Sequence, residues 1–349
     1  MTLSSRERVL RTVHHGTADC LPVGPFMYDL AAVASGVALR DYYLDASAMT
    51  WAQLRLQELV GQDVICVGAD NFYIAEAFGC ETSRTDDELP SLVAPPLSSI
   101  EEVYGLEVPD PMTQGRMPLM LEAIELLRHA VGDEVALRAP GTGPFALASY
   151  FVGTQQWLLD VALAEAGLDE GKEAAVHHAL GLAAAALIAF GNACFDAGAD
   201  LIQCGDSLAS CNVISPRTYE RYAWPYQKRV FSEWREHGIS TGLLHICGDS
   251  SKVLELYRDT GAGLIEIDSA VDLAEAARRL EGSATIVGNV DTVSELLQAD
   301  PGQTEAAARR CIEQTCGRNF ILGSGCLVPR YTPIENVRTL ARVAHEHRY

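Results

Sequence analysis

The sequence predicts an α/β protein, a single eight-stranded (β/α)8 barrel of the TIM type with an irregular N-terminal extension. Three observations carry that expectation. From about residue 130, short apolar runs rich in β-branched residues alternate with polar turns and with helical patterns of period near 3.6. Runs apolar along their whole length fit strands buried on both faces, as in parallel β/α units. Seven such units are visible, the irregular first half has room for one more, and 349 residues is within the size of one large barrel. An open doubly wound sheet is the alternative arrangement of the same elements.

The elements follow in order. The start, MTLSSRERVLRTVHHG, is charged and reads as an amphipathic helix, not an apolar signal core. Residues 1–60 are expected as a helical segment packing on the barrel, within one domain covering 1–349. WAQLRLQELVG (51–61) is helical and DVICVGAD (63–70) a strand, while TDDELP (85–90) and PPLSSIEEV (95–103) read as surface loops. The later strands are EVALRAP (134–140), ADLIQCGD (199–206), ISTGLLHIC (239–247), AGLIEID (262–268), ATIVGNV (284–290) and NFILGSG (319–325). Between them lie helical patterns at 155–167, 215–238, 250–261, 272–282 and 305–317, each closing on glycine. The most hydrophobic window, LGLAAAALIAF (180–190), is about half the length of a bilayer span and reads as a buried helix.

Composition narrows the function classes. A formal charge of −21 repels polyphosphate, which argues against nucleic acid as a partner; no membrane partner is expected either. Ten scattered cysteines without a compact framework suit a reducing, cytoplasmic setting and leave free thiols or ligands. No GxGxxG or GxxxxGK[ST] loop follows a strand, so dinucleotide and phosphate-loop readings have no support.

In such barrels the chemistry sits at the C-terminal ends of strands. Those ends are loaded here: Cys204 and Asp206, His245 and Cys247, Glu266 and Asp268, Asn289 and Asp291, Gly325 and Cys326. In LLHICGDS (243–250), His245 and Cys247 are two apart in an extended run, so both point to one side, and Gly248 lets the chain turn away. Cys326 ends a later strand, in GSGC, and Asp268 and Glu266 end the neighbouring one. Two thiolates, an imidazole and a carboxylate form a borderline-soft donor set that selects zinc over magnesium or calcium. Taken singly, each of these residues is equally readable as a buried core side chain. Gln203, Asp206 and Asn289 are expected at the mouth, with Asp206 accepting a thiol proton or orienting His245, and Tyr28 and Tyr331 shaping the pocket. The adjacent pairs His14–His15 and His177–His178 point about a quarter-turn apart and are poor joint ligands. Cys311 and Cys316 have no matching partner, and Cys66, Cys194 and Cys211 read as packing residues.

HICG followed by GSGCLVPRYTPIENV, with RERVLRTVHHGTADCLPVGPF, GPFALAS, GDSLAS, SPRTYERYAWPYQKRV and GNVDT, resembles the uroporphyrinogen decarboxylase superfamily. Within it, the chain is most similar to the zinc-dependent corrinoid methyltransferases. The resemblance implies metal ligands at His245, Cys247 and Cys326. It also implies a carboxylate near the metal about twenty-one residues past Cys247, which falls on Asp268 where a Glu is expected, with Glu266 the competitor. It implies Zn2+ as cofactor, methylcobalamin carried by a partner corrinoid protein, and transfer of a methyl group between that corrinoid and a zinc-activated thiol such as coenzyme M. Asp206 and Asp268 are the catalytic candidates, and Tyr28, Gln203, Asn289 and Tyr331 the substrate-binding ones. Two alternatives stay open: a uroporphyrinogen decarboxylase, or a first-step demethylase that methylates cob(I)alamin. The decarboxylase fits less well, because those enzymes carry an arginine-rich N-terminal stretch and this chain has no arginine between Arg11 and Arg40. The acceptor, the direction of transfer and the oligomeric state are open.

Overall fold

A computed structural model describes residues 2–168 and 170–349. Seven strands form one curled parallel sheet: β1 (Val64–Cys66), β4 (Ala136–Ala139), β5 (Leu201–Gly205), β6 (Gly242–Ile246), β7 (Leu264–Ile267), β8 (Thr285–Val290) and β9 (Phe320–Ser324), neighbours in that order. A small antiparallel hairpin, β2 (Glu81–Thr82) and β3 (Leu92–Ala94), lies apart from it. Each of the seven apolar runs is thus a strand. The sheet is parallel throughout, with helices between successive strands from β4 onward, as βαβ chemistry requires.

Residues 22–24 run beside both edge strands of this sheet, next to β9 and the start of β1. Leu322 donates to the Pro22 carbonyl at 2.9 Å and Gly24 donates to Leu322 at 2.9 Å on one side. Asp63 donates to the Val23 carbonyl at 2.8 Å on the other. The segment reads LPVGP, and two prolines without N–H groups restrict it to a single bridge.

The interior of the curl is layered by the two-residue period of the strands. Val64, Ala136, Leu201, Leu243, Leu264, Val287 and Ile321 form an apolar ring. The helix Ser5–Val13 inserts Val9 and Val13 into it. That helix is started by Ser4, whose side chain accepts from Glu7, and is anchored by Arg8, paired with Asp63 at 2.6 Å and Asp19 at 2.8 Å. Two residues further along β1, β4, β5, β6 and β7 the interior turns polar: Cys66, Arg138, Gln203, His245 and Glu266. The alternate residues, among them Leu137, Ile202, Leu244 and Ile265, face the surrounding helices.

Among the described residues one helix, Gly171–Asp196, is long and apolar enough to cross a membrane, but 61% of its most apolar 18-residue stretch is buried within the fold. It contains the 180–190 window. Its neighbours include the helices Pro144–Val152, Thr154–Glu165 and Trp224–Glu236. Part of the stretch expected as surface loop is a 3-10 turn, Ile100–Gly105, whose Ile100 and Val103 are buried.

Candidate active site

β6 ends by carrying His245 and Cys247 to the same side, and Gly248 at φ 82° turns the chain away beyond them. An added side chain at that glycine would strike Asn212 and Ser210, so the turn excludes larger residues. Cys326 arrives from the end of β9. His245 Nε2 lies 3.0 Å from Cys247 Sγ and 3.8 Å from Cys326 Sγ, and the two sulfurs are 3.1 Å apart. These three are the cluster of potential metal ligands among the described residues, their donor atoms all within 4.8 Å of one another. His245 is buried while both cysteines are partly exposed, so the sulfur side faces solvent.

The electrostatics divide the cluster sharply. A hydrogen bond from Cys326 leads in lowering the Cys247 thiol to about 4 against its burial, with His245 adding to it. The same hydrogen bond, with burial, pushes Cys326 up, so of the two thiols Cys247 gives up its proton more readily. Burial disfavours charge on His245, but the Glu266 carboxylate and Cys247 outweigh it and raise the imidazole to about 10. Ser207 Oγ, in the turn Ser207–Ala209, lies 3.3 Å from Cys247 Sγ. Phe26 meets the imidazole edge-on with centroids 6.0 Å apart.

Behind His245 lies a fully buried polar chain. Nδ1 is 3.0 Å from Glu266 Oε2. Arg138 donates to both Glu266 oxygens at 2.6 and 2.8 Å, and its Nε donates to Gln203 at 3.0 Å. Burial opposes the Glu266 charge, but Arg138 and then His245 hold its carboxyl down at about 2. The carboxylate beside His245 Nδ1 is thus that of Glu266, whereas Asp206 is engaged elsewhere. The Asp206 carboxylate accepts from Phe145 and Ala146 N–H groups, at 3.4 and 2.7 Å, and from Gln227 at 2.8 Å. It thereby caps the helix Pro144–Val152, and Gly143 supplies the room: a Cβ there would come within 2.5 Å of Asp206. Burial raises Asp206 to about 6, against those hydrogen bonds.

Asp268 does not join the cluster; its carboxylate accepts from Ala270 N–H at 2.8 Å in the loop after β7. Asn289 points to the helix side, donating to the Asp268 and Val271 carbonyls and receiving Cys311 Sγ. Tyr331 is 73% exposed, whereas Tyr28 is buried beside Phe26, Cys66 and Leu327. Gln203 faces inward as expected, but its oxygen is taken by Arg138. The residue that sequence reasoning missed is Arg138. Its only signal was a lone cation inside the apolar run EVALRAP.

The donor set of one imidazole and two thiolates, with a carboxylate on the far nitrogen of the histidine, suits a borderline-soft divalent ion. Tetrahedral zinc, with bonds of about 2.3 Å to sulfur and 2.0 Å to nitrogen, sets donor separations of roughly 3.5–3.8 Å. Two edges of the present triangle need to lengthen by about half an ångström to meet that.

Residues 4–347 match the uroporphyrinogen decarboxylase (URO-D) family. The methylcobamide:CoM methyltransferase MtbA of Methanosarcina acetivorans is 28% identical over 99% of this chain and 98% of its own length. A uroporphyrinogen decarboxylase of Carboxydothermus hydrogenoformans is 29% identical over 82% of this chain and 79% of its own. A solved methyltransferase from Methanosarcina mazei superposes with a TM-score of 0.88 at 25% identity, covering 99% of both chains. From residue 4 to residue 347, this chain is a member of the uroporphyrinogen decarboxylase family, on the side of it that resembles the methylcobamide:coenzyme M methyltransferases.

Proposed function

We propose that this chain is a zinc-dependent methyltransferase moving a methyl group between a corrinoid, carried by a partner protein, and a thiol such as coenzyme M. The observation that carries the reading is the convergence of His245, Cys247 and Cys326, from strands far apart in sequence, within one 4.8 Å cluster. The similarity to methylcobamide:CoM methyltransferases over the whole chain supports the direction of the reading. When bound, zinc supplies the Lewis acidity that keeps a substrate thiol as thiolate near neutral pH.

The chain's own residues do the rest. His245 and the two cysteines would hold the ion, with the partly exposed cysteine side left for a substrate thiol. Two cysteine sulfurs, bound as thiolates, would offset the charge of the metal and so preserve the nucleophilicity of a thiolate beside it. Ser207 donates to Cys247 and steadies that sulfur. Phe26, itself packed with Tyr28 and Leu327, covers the His245 ring on one side. We also read residues 22–24 as the eighth stave of a closed (β/α)8 ring.

The test is Cys247→Ala, with zinc content and thiol-dependent demethylation of methylcobalamin measured together. Loss of both is the expected result; full activity in a zinc-free protein overturns the reading.

A further inference from the structure

We propose that Arg138 is the positioning residue of this metal centre: it locks Glu266, and through Glu266 it turns His245 Nε2 toward the two cysteine sulfurs. The inference rests on the proposed metal reading and adds a residue to it. Arg138 belongs to β4 and Glu266 to β7, so the guanidinium crosses the interior past β5 and β6, a separation of 128 residues in sequence. It is 2% exposed. Nothing about a strand requires a buried cation at that place, and desolvating one is costly unless each of its donors is used.

Here the donors are used for one purpose. Nη1 and Nη2 take both oxygens of Glu266, which fixes the plane of a carboxylate otherwise free to rotate. Nε is held by Gln203, and the face of the guanidinium lies 4.2 Å from the centre of the Phe26 ring. Phe26 also touches the His245 ring. With its plane fixed, the Glu266 carboxylate holds Oε2 3.0 Å from the buried His245 Nδ1, as a close ion-pair contact that is off the line of a hydrogen bond. The imidazole is then oriented at one end by Oε2 and on its side by Phe26, which leaves Nε2 facing Cys247 and Cys326. A lysine is a poor substitute, because its compact ammonium lacks the planar fork that meets both carboxylate oxygens side by side while a third nitrogen reaches Gln203.

The experiment measures zinc affinity by chelator competition, and the visible spectrum of the cobalt-substituted protein, for wild type, Arg138→Lys, Glu266→Gln and the double variant. Arg138→Lys and Glu266→Gln are each expected to weaken zinc binding about 10–100-fold and to shift the cobalt bands. The double variant is expected to bind no more weakly than the worse single, because both act along one path. Gln203→Met, which removes only the Nε partner, should cost roughly threefold while preserving the fold. Zinc affinity of Arg138→Lys within twofold of wild type, with unchanged cobalt bands, overturns the inference, as does a double variant showing the product of the single effects. A purely structural role would lower thermal stability and leave the cobalt bands in place. If wild type itself takes up no zinc, the metal reading fails first.

Discussion

Two rings of side chains, one step of the strand period apart, line the interior of this protein and are held together by opposite means. Val64, Ala136, Leu201, Leu243 and Leu264 need only to be apolar and of fitting size, since they gain by leaving water. Cys66, Arg138, Gln203, His245 and Glu266 stand on the same strands, two residues further on. There each polar group depends on a particular partner, and an orphaned charge would cost several kcal/mol. The comparison teaches that one backbone carries both a tolerant floor and an exacting chemical layer, separated by a single period.

The largest effect should come from the chemical end. Cys326→Ser is expected to reduce zinc from about one ion per chain to a small fraction of that, and methyl transfer to background, because a hydroxyl is a poor substitute for a thiolate on this ion. Elemental analysis and methylcobalamin absorbance check it. Cutting the floor should do the reverse. Leu243→Ala is expected to cost about 2–5 kcal/mol in denaturant unfolding, yet leave zinc bound to the folded protein.

An acid titration sharpens the contrast. Glu266 is held near 2, below its ordinary 4.5, so its contribution to stability is complete above about pH 4.5 and is lost as pH falls toward 2. In metal-free protein, Glu266→Gln should flatten that part of the stability–pH curve, measured by urea midpoints, while Leu243→Ala shifts the whole curve in parallel. Asp206→Ala removes a helix cap and should cost about 1–2 kcal/mol, again without loss of metal. The smallest effect belongs to Asp268→Ala, with zinc affinity expected within about twofold of wild type, since its carboxylate is occupied by the loop amide. A tenfold loss there would instead return Asp268 to the metal.

The apolar floor was easy to read in the sequence because continuous hydrophobic runs announce buried parallel strands. His245 and Cys247 were readable too, being two apart in an extended run, and Cys326 followed from its place at a strand end. Arg138 was not, because its meaning depends on a carboxylate 128 residues away, and periodicity gives no partners. For the same reason the choice between Glu266 and Asp268 needed the register, in which Glu266 pairs level with His245. Asn289 was misplaced because a strand-end position does not tell which way the side chain turns. The segment at 22–24 escaped notice because its prolines hide a pairing that lasts one residue.

The helix Ser5–Val13 sets Val9 and Val13 into the apolar floor, so that end of the interior is filled with side chains. Under the proposed reaction, thiol and methyl carrier would both have to reach the cysteines from the opposite end, where the two sulfur-bearing residues are partly exposed.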